Sequence, residues 1–189
     1  MVFYTARRMF VFTLTAMLAA VLAGCASAPV KEEKQSAPGN VYRNAEHGFS
    51  ITFPKTWGFK ENMYDTIVIG VSPRENDADN MTENVNVLTE KLSGEIMTVD
   101  AYMKAADAGI ATKVTDYARL DSGSLLIDGN QAGWMVYRHV YEGAEYKALI
   151  YVILHGAKAF VVTCTATPDS YAGYEGTFRT IAESIRFDK

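Results

Sequence analysis

Three histidines and one internal cysteine are the residues of this chain whose types could support nucleophilic catalysis. They are His47, His139, His155 and Cys164. Such catalysis needs a Ser or Cys nucleophile beside a histidine that an acidic group orients. The chain contains no Gly-x-Ser-x-Gly elbow, no phosphate-binding glycine loop and no Cys-x-x-Cys pair. The sequence therefore predicts a protein that is not an enzyme.

The positions of these residues favour ordinary structural roles. His47 precedes the first predicted strand, His139 lies within a strand and His155 ends one, so we expect each at the surface or the rim. His139 and His155 could be cross-strand neighbours, but two imidazoles without cysteine or acidic support fall short of a zinc site. Cys164 alternates in phase with the apolar residues of its strand, which predicts a buried thiol rather than a reactive one.

Oxygen-bearing side chains between Pro73 and Glu83 call for comparison with a calcium loop. The segment contains Asp77-Ala78-Asp79-Asn80. However, Met81 occupies a ligand position of the EF-hand pattern and Thr82 replaces its turn glycine. We therefore expect a solvated hairpin loop here, and we expect neither a metal nor a cofactor.

The first 24 residues have the features of an export signal. Arg7 and Arg8 precede an apolar run from Met9 to Leu22, which is shorter than the roughly 20 residues needed to span a bilayer core. This pattern predicts a signal peptide. The run closes with Leu22-Ala23-Gly24-Cys25, which resembles the bacterial lipoprotein signal. In that family the chain is cleaved before the cysteine, and the cysteine then carries acyl chains.

The lipoprotein resemblance implies cleavage between Gly24 and Cys25 and a lipid on Cys25. Several acyl chains would make attachment effectively permanent, because each buried methylene contributes about 0.8 kcal/mol. The resemblance implies a lipid-anchored cell-envelope protein, and Ala26 is compatible with an outer membrane facing the periplasm in a Gram-negative cell. An ordinary signal peptide with an incidental cysteine is the alternative. The choice of membrane and a twin-arginine export route stay open.

A polar linker and an acidic domain are expected after the signal. Residues 25–40 hold the lipidated cysteine and a segment rich in Ser, Pro, Lys and Glu without apolar periodicity, which is typical of a flexible linker. The domain then spans residues 41–189. Beyond residue 24 the chain carries 16 basic and 22 acidic side chains. This acidic balance argues against a nucleic-acid partner and against docking on anionic lipid.

A β-meander forms the predicted centre of the domain. Its three strands run from Ala132 to Tyr141, Tyr146 to His155 and Lys158 to Ala166, and glycine-containing turns join them. The middle strand is apolar on both faces, whereas an antiparallel sheet with one wet face should alternate apolar and polar residues. The sequence therefore predicts a sheet that is covered on both sides.

Shorter strands are predicted before the meander. They run from Gly48 to Pro54, Thr66 to Val71, Val85 to Glu90 and Val114 to Ile127, the last with a break near Asp121-Ser122-Gly123. The third of these has a polar face, which places it near a sheet edge. Trp57 and Phe59 lie in a turn and are expected to cap the core.

Two amphipathic helices complete the predicted fold. Thr98 is a candidate N-cap for the first, and Thr167 followed by Pro168 for the second. Their apolar stripes are Val99, Tyr102, Met103, Ala106 and Ile110 in one helix, and Tyr174, Phe178, Ile181, Ala182 and Ile185 in the other. A sheet with two apolar faces and two such helices predict an α+β fold, a three-layer α/β/α sandwich with a central, mainly antiparallel sheet.

Several of these features together resemble the PsbP/Mog1-like proteins, in particular bacterial DcrB-type lipoproteins. They are Gly48-Phe49-Ser50-Ile51-Thr52-Phe53-Pro54 followed by Trp57, the mid-chain helix, the tyrosine-rich meander, and the terminal Phe178, Ile181, Ser184, Ile185 and Phe187. The resemblance covers about residues 45–188. It implies an antiparallel sheet between helices and a non-enzymatic binding or assembly role.

Tyrosines are the candidate partner surface. Tyr137, Tyr141, Tyr146 and Tyr151 cluster around one hairpin, and exposed tyrosines suit protein interfaces; the alternative is that most are half-buried sheet residues. We therefore expect a lipid-anchored binding or assembly factor for an envelope protein partner. The alternatives are a small-molecule or metal-ion binding protein and, less favoured, an envelope hydrolase.

Overall fold

The computed structural model describes residues 40–77, 79, 81–92 and 98–188. Within them the chain forms ten strands and two helices. In chain order these are β1 (Val41–Asn44), β2 (Phe49–Thr52), β3 (Gly58–Glu61), β4 (Val68–Val71), β5 (Asn84–Lys91), α1 (Val99–Ala111), β6 (Thr115–Ile127), β7 (Asn130–Tyr141), β8 (Ala144–His155), β9 (Lys158–Ala166), α2 (Pro168–Glu183) and β10 (Arg186–Phe187).

Seven strands make the central sheet, in the order β3-β4-β5-β9-β8-β7-β6, and every neighbouring pair is antiparallel. The predicted meander is confirmed as β7, β8 and β9. The turn between β6 and β7 has φ of 49° at Asp128 and 77° at Gly129, and the next has 50° at Glu142 and 82° at Gly143. Two successive residues with positive φ define the type I′ turn, which matches the twist of the flanking strands.

Helix α1 covers one face of the sheet. The side chain of Thr98 accepts a hydrogen bond from the backbone N–H of Ala101 at 3.2 Å, so the predicted N-cap is confirmed. Its predicted stripe is buried apart from the partly buried Met103. The stripe packs on alternate residues of β7, β8 and β9, including Tyr137, Ile150 and Val161.

Helix α2 and a second small sheet cover the opposite face. Strands β1, β2 and β10 form this sheet, with β2 in its middle. Phe49, Ile51 and Phe53 pack with Phe178 and Ile181 of α2 into the larger apolar core, which also holds Trp57 as predicted. The three-layer prediction is thus confirmed, and the small sheet shares one layer with α2.

Three details of the sequence-based fold differ from the structure. Strand β5 lies between β4 and β9 rather than near an edge; its polar face is tolerated because α1 packs mainly over β6, β7 and β8. The irregularity in β6 falls between Thr115 and Asp121, just before the predicted break. Strands β1, β3 and β10 were not predicted, because each is four residues or shorter and pairs with a partner that the local pattern does not reveal.

The predicted signal peptide (residues 1–24), the cleavage site at Gly24 and the lipidation site at Cys25 lie outside the described residues, as does the linker up to residue 39. These stay predictions. None of the helices that the structure describes is long and apolar enough to cross a membrane.

Candidate functional site

Strand β6 forms one edge of the central sheet, and most of its residues are exposed. Strand β6 pairs with β7 on one side only, and no strand among the described residues pairs with its other side. Leu120 is 50% exposed and Leu126 68%, and they are two of the three exposed large apolar residues in the part of the chain that the structure describes. Natural sheets usually protect such an edge, because its unpaired N–H and C=O groups can pair with another chain.

The hairpin geometry fixes which backbone groups of β6 face outward. Ile127 and Asn130 flank the two-residue turn and are register partners. In such a hairpin the flanking pair exchanges hydrogen bonds, and bonded and non-bonded pairs then alternate along the strand. The N–H and C=O groups of Leu125 and Gly123 therefore point to β7. Those of Leu126, Ser124 and Ser122 point away from the sheet.

Bulges restrict the regular part of this edge. The register shifts between Thr115 and Ala118 and again between Arg119 and Asp121, and Asp116 has φ of 50°. From Asp121 to Ile127 the pairing with β7 is continuous. Because bulges twist an edge away from pairing, only the Asp121 to Ile127 segment offers a straight row of outward backbone groups.

A groove of about 570 Å³ lies between α1 and this segment. Ser122, Ser124, Gly133 and Met135 contribute from the sheet, and the helix contributes Asp100, Met103, Lys104 and Asp107. Flexible methionines suit adaptable binding surfaces. The groove and the outward backbone row of β6 are adjacent, so we define them together as the edge site.

Small residues explain both the groove and the close approach of α1. A Cβ at Gly133 would lie 2.6 Å from Met103 Cγ and 2.7 Å from Val99 Cγ1, so only glycine lets this part of α1 approach β7. Ser122 and Ser124 leave the neighbouring space beside β6 unfilled. On the opposite face Gly123 supports the indole of Trp134, which a Cβ would meet at 2.8 Å.

A polar cluster closes one end of the groove. The Tyr117 hydroxyl donates a hydrogen bond to the Asp107 carboxylate, and Arg119 Nη1 lies 3.0 Å from the second oxygen of the same carboxylate. Burial and the hydrogen bond to Asp107 raise the pKa of Tyr117 above its usual range. These contacts fix the bulged part of β6 onto α1.

The predicted tyrosine surface is divided between the two sides of the sheet. Tyr137 is fully buried under α1, whereas Tyr151 is fully buried on the α2 side and donates a hydrogen bond to Glu183 at 2.8 Å. Tyr141 and Tyr146 are partly exposed. The four therefore do not form one exposed surface, because Tyr151 lies five residues from Tyr146 on β8 and residues at odd spacing along a strand point to opposite faces.

His139 was expected at the surface or rim, but it is only 4% exposed. Its ring lies between those of Tyr137 and Tyr146, at centroid distances of 5.3 and 5.6 Å. The Nδ1 atom of His139 and the hydroxyl of Tyr137 are buried and have no hydrogen-bond partner among the residues that the structure describes. His139 and His155 are not neighbours, because His139 pairs with Tyr146 at the other end of β8.

Removing His139 is expected to flatten the acid side of the stability profile. Burial lowers the pKa of this histidine. The unfolded chain therefore binds the proton more readily, and stability that is full above about pH 6.5 falls as the pH drops below it. Between pH 7.5 and pH 5 the unfolding free energy of a His139→Phe variant should fall less than that of the wild type. The difference between the two slopes is at most about 1.4 kcal/mol per pH unit. Urea unfolding of both proteins measures this; equal losses would contradict it.

The other candidate chemical groups are held by structural contacts. His47 Nδ1 lies 3.4 Å from the Thr89 hydroxyl, and His155 stacks on Phe187 with centroids 4.1 Å apart. Cys164 is buried as predicted, and burial raises the pKa of its thiol. A raised pKa keeps the thiol protonated and unreactive.

The acidic loop closes on itself and on α2. The Asp79 carboxylate accepts hydrogen bonds from the backbone N–H groups of Glu75 and Met81, and the Tyr174 hydroxyl donates to Glu75 at 3.2 Å. Across the described residues no group of three or more His, Cys, Asp or Glu side chains could hold a metal ion.

An antiparallel sheet between two helical layers is the architecture of PsbP/Mog1-like proteins, and comparison with solved structures shows that the chain has this α+β fold. It is similar to the solution structure of cyanobacterial PsbP (CyanoP) from Synechocystis sp. PCC 6803. The TM-score is 0.59 and the identity 15%, over 85% of this chain and 99% of the other.

Two further structures have the same fold. LpqN of Mycobacterium tuberculosis, described as involved in cell envelope biogenesis, gives a TM-score of 0.61 at 14% identity, over 80% of this chain and 91% of LpqN. PA94 of Pseudomonas aeruginosa, a protein of unknown function, gives a TM-score of 0.56 at 15% identity, over 78% of this chain and 96% of PA94. Compared with protein-family models and curated sequences, the chain gives no match. At these identities the likeness concerns the fold alone.

Proposed function

We propose that this chain is a lipid-anchored cell-envelope protein that binds or helps assemble a protein partner without catalysis, and that the partner docks at the edge site. The observation that carries the proposal is that β6 has no strand partner on its outer side within the described residues, and that this strand exposes Leu120 and Leu126 and borders the groove. Apolar side chains with free backbone groups are a template for a protein segment.

The predicted lipidation sequence and the fold each support this proposal. The lipoprotein-like sequence around Cys25 supports a location at an envelope membrane. One structure of the same fold, LpqN, is described as involved in cell envelope biogenesis. Neither observation specifies a partner, since function depends on a site and not on a fold.

Photocrosslinking in intact cells tests the proposal. A photoreactive phenylalanine analogue would replace Leu126 on β6 or, as the matched control, Lys60 on β3, the opposite edge of the same sheet. We expect a discrete protein adduct from position 126 and a much weaker one from position 60. Equal yields, or no adduct from position 126, would contradict the proposed site.

A small-molecule binding protein is the second candidate, because the volume of the groove lies within the range of ligand pockets, about 300–1,000 Å³. A thermal-shift screen of the full chain with metal ions and metabolites separates the two. A shift that a Met135→Ala variant loses would favour a ligand in the groove. A flat screen combined with a position-126 adduct would favour the protein partner.

A further inference from the structure

Building on the proposed function, we propose that the partner contributes an extended segment that adds to β6 as an eighth strand. Its backbone pairs with Ser122, Ser124 and Leu126, and its residue opposite Ser124 places a large apolar side chain in the groove. The occupant is therefore an extended peptide segment of another protein, recognised by backbone pairing and by one apolar anchor.

The backbone part of the inference follows from the direction of the outward groups. Ser122, Ser124 and Leu126 each direct both their N–H and their C=O away from β7, as the position of the Asp128-Gly129 turn requires. The side chains of Ser122 and Ser124 lie on the α1 side, because their register partners Met135 and Gly133 face α1, and Leu126 shares that side because it lies two residues beyond Ser124. The residues that would bind the partner's backbone are thus the ones next to the groove.

The size of the groove residues defines the anchor. A strand added to β6 lies about 4.8 Å from it. A side chain opposite Ser124 on the α1 side begins at that distance, and the groove beside it is lined by Ser122 and Ser124 on β6 and by Met103 and Met135 on α1 and β7. A Leu, Met or Phe is long enough to extend into this groove. A small residue there would leave the groove unfilled and lose its contact with the methionines.

A second copy of this chain fits the edge less well than a separate segment. The symmetric antiparallel register that uses the whole regular stretch from Asp121 to Ile127 places Ser124 opposite itself, which leaves the groove without an anchor. A symmetric register that places Leu126 opposite Ser124 shortens the paired stretch. One that places Leu120 opposite Ser124 includes the bulge at Arg119. A partner segment is not bound by this symmetry.

Ser124 provides three matched variants. Ser124→Pro removes an outward N–H without removing a hydrogen bond to β7, and proline is tolerated at such edge positions. Ser124→Trp keeps the N–H but fills the groove. Ser124→Ala keeps both features and is the control. The probe is a displayed library of random 12-residue peptides, selected against the full-length protein in lipid nanodiscs.

We expect selected peptides that share one large apolar residue, that bind Ser124→Ala like the wild type, and that bind Ser124→Pro and Ser124→Trp at least about tenfold more weakly. N-methylation of alternate peptide amides should abolish binding, and this test does not depend on how well the variants fold. Peptide binding that is unchanged by the Ser124 variants and by N-methylation would overturn the strand inference, while the position-126 adduct would still uphold the proposed function.

Two other results would also overturn the inference. One is the failure to select any peptide. The other is sedimentation of the full chain as a dimer that Leu126→Lys dissociates, since a second copy would then occupy the edge. The proposed function itself fails separately, through the absence of an adduct at position 126 in cells.

Discussion

A Cys25→Ser variant is expected to lose the membrane attachment of the protein completely. The reason is that the proposed lipidation site is Cys25, and several acyl chains would hold a protein far more firmly than one chain does. Metabolic labelling with an alkyne fatty acid, followed by fractionation, measures the result. The wild type should be labelled and sediment with membranes, whereas the variant should be unlabelled.

The control for this experiment is Cys164→Ala, which removes the other cysteine of the chain. Cys164 is fully buried in the core, so labelling should persist in this variant even though its stability falls. Intact-mass measurement of the native protein can contradict the predicted lipidation. A free thiol at residue 25, or cleavage elsewhere, would remove the basis for the lipid anchor.

A Gly70→Val substitution is expected to give the largest loss of stability of any single change discussed for the domain. A Cβ at Gly70 would lie 2.3 Å from Phe53 Cε1. Phe53 is itself buried and stacked on Phe59, so it cannot move aside without disturbing the core. Overpacking of this kind costs about 1–3 kcal/mol, and expelling the ring would cost about 3–5 kcal/mol. We expect a loss of about 3 kcal/mol in chemical denaturation.

Gly58→Ala is the matched control for Gly70→Val. Gly58 lies on the neighbouring strand β3, and a Cβ there would have no atom within 4 Å. Its replacement should change the unfolding free energy by less than about 1 kcal/mol. Similar losses for the two substitutions would show that the Phe53 ring does not lie against Gly70.

The parts of the fold that were predictable are those with strong local patterns. Strands β7, β8 and β9 are long, rich in β-branched and aromatic residues and separated by glycine turns, so the strand composition and the turn residues predict the same boundaries. Both helices begin at the predicted caps, Thr98 and Thr167. The apolar character of both faces of β8 also indicated correctly that the sheet is covered on each side.

The parts that were not predictable depend on contacts between distant residues. Strand β10 has two residues and exists because it pairs with β2. The position of β6 at an open edge follows from the order of the sheet, which no local pattern records. The groove depends on how closely Gly133 lets α1 approach, and that distance is a tertiary property. The edge site was therefore missed.

One signal for a buried group was present in the sequence. His139 lies two and four residues from Tyr137 and Met135, which are both buried on the α1 face. Alternation along β7 thus placed the histidine on an apolar face, but its polar character favoured a rim position in the sequence-based interpretation. In a strand buried on both faces, the position of a residue in the alternation along the strand is a better guide to its burial than its residue type.

Amide hydrogen exchange along β6 tests most directly whether this edge is the binding surface. Exchange would be carried out on the protein in isolated envelopes and on the purified full chain, and read residue by residue. We expect the amides of Ser122, Ser124 and Leu126 to exchange slowly in envelopes and fast in the purified protein, while those of Gly123 and Leu125 are slow in both. Equally fast exchange of the outward amides in both samples would contradict partner binding at β6.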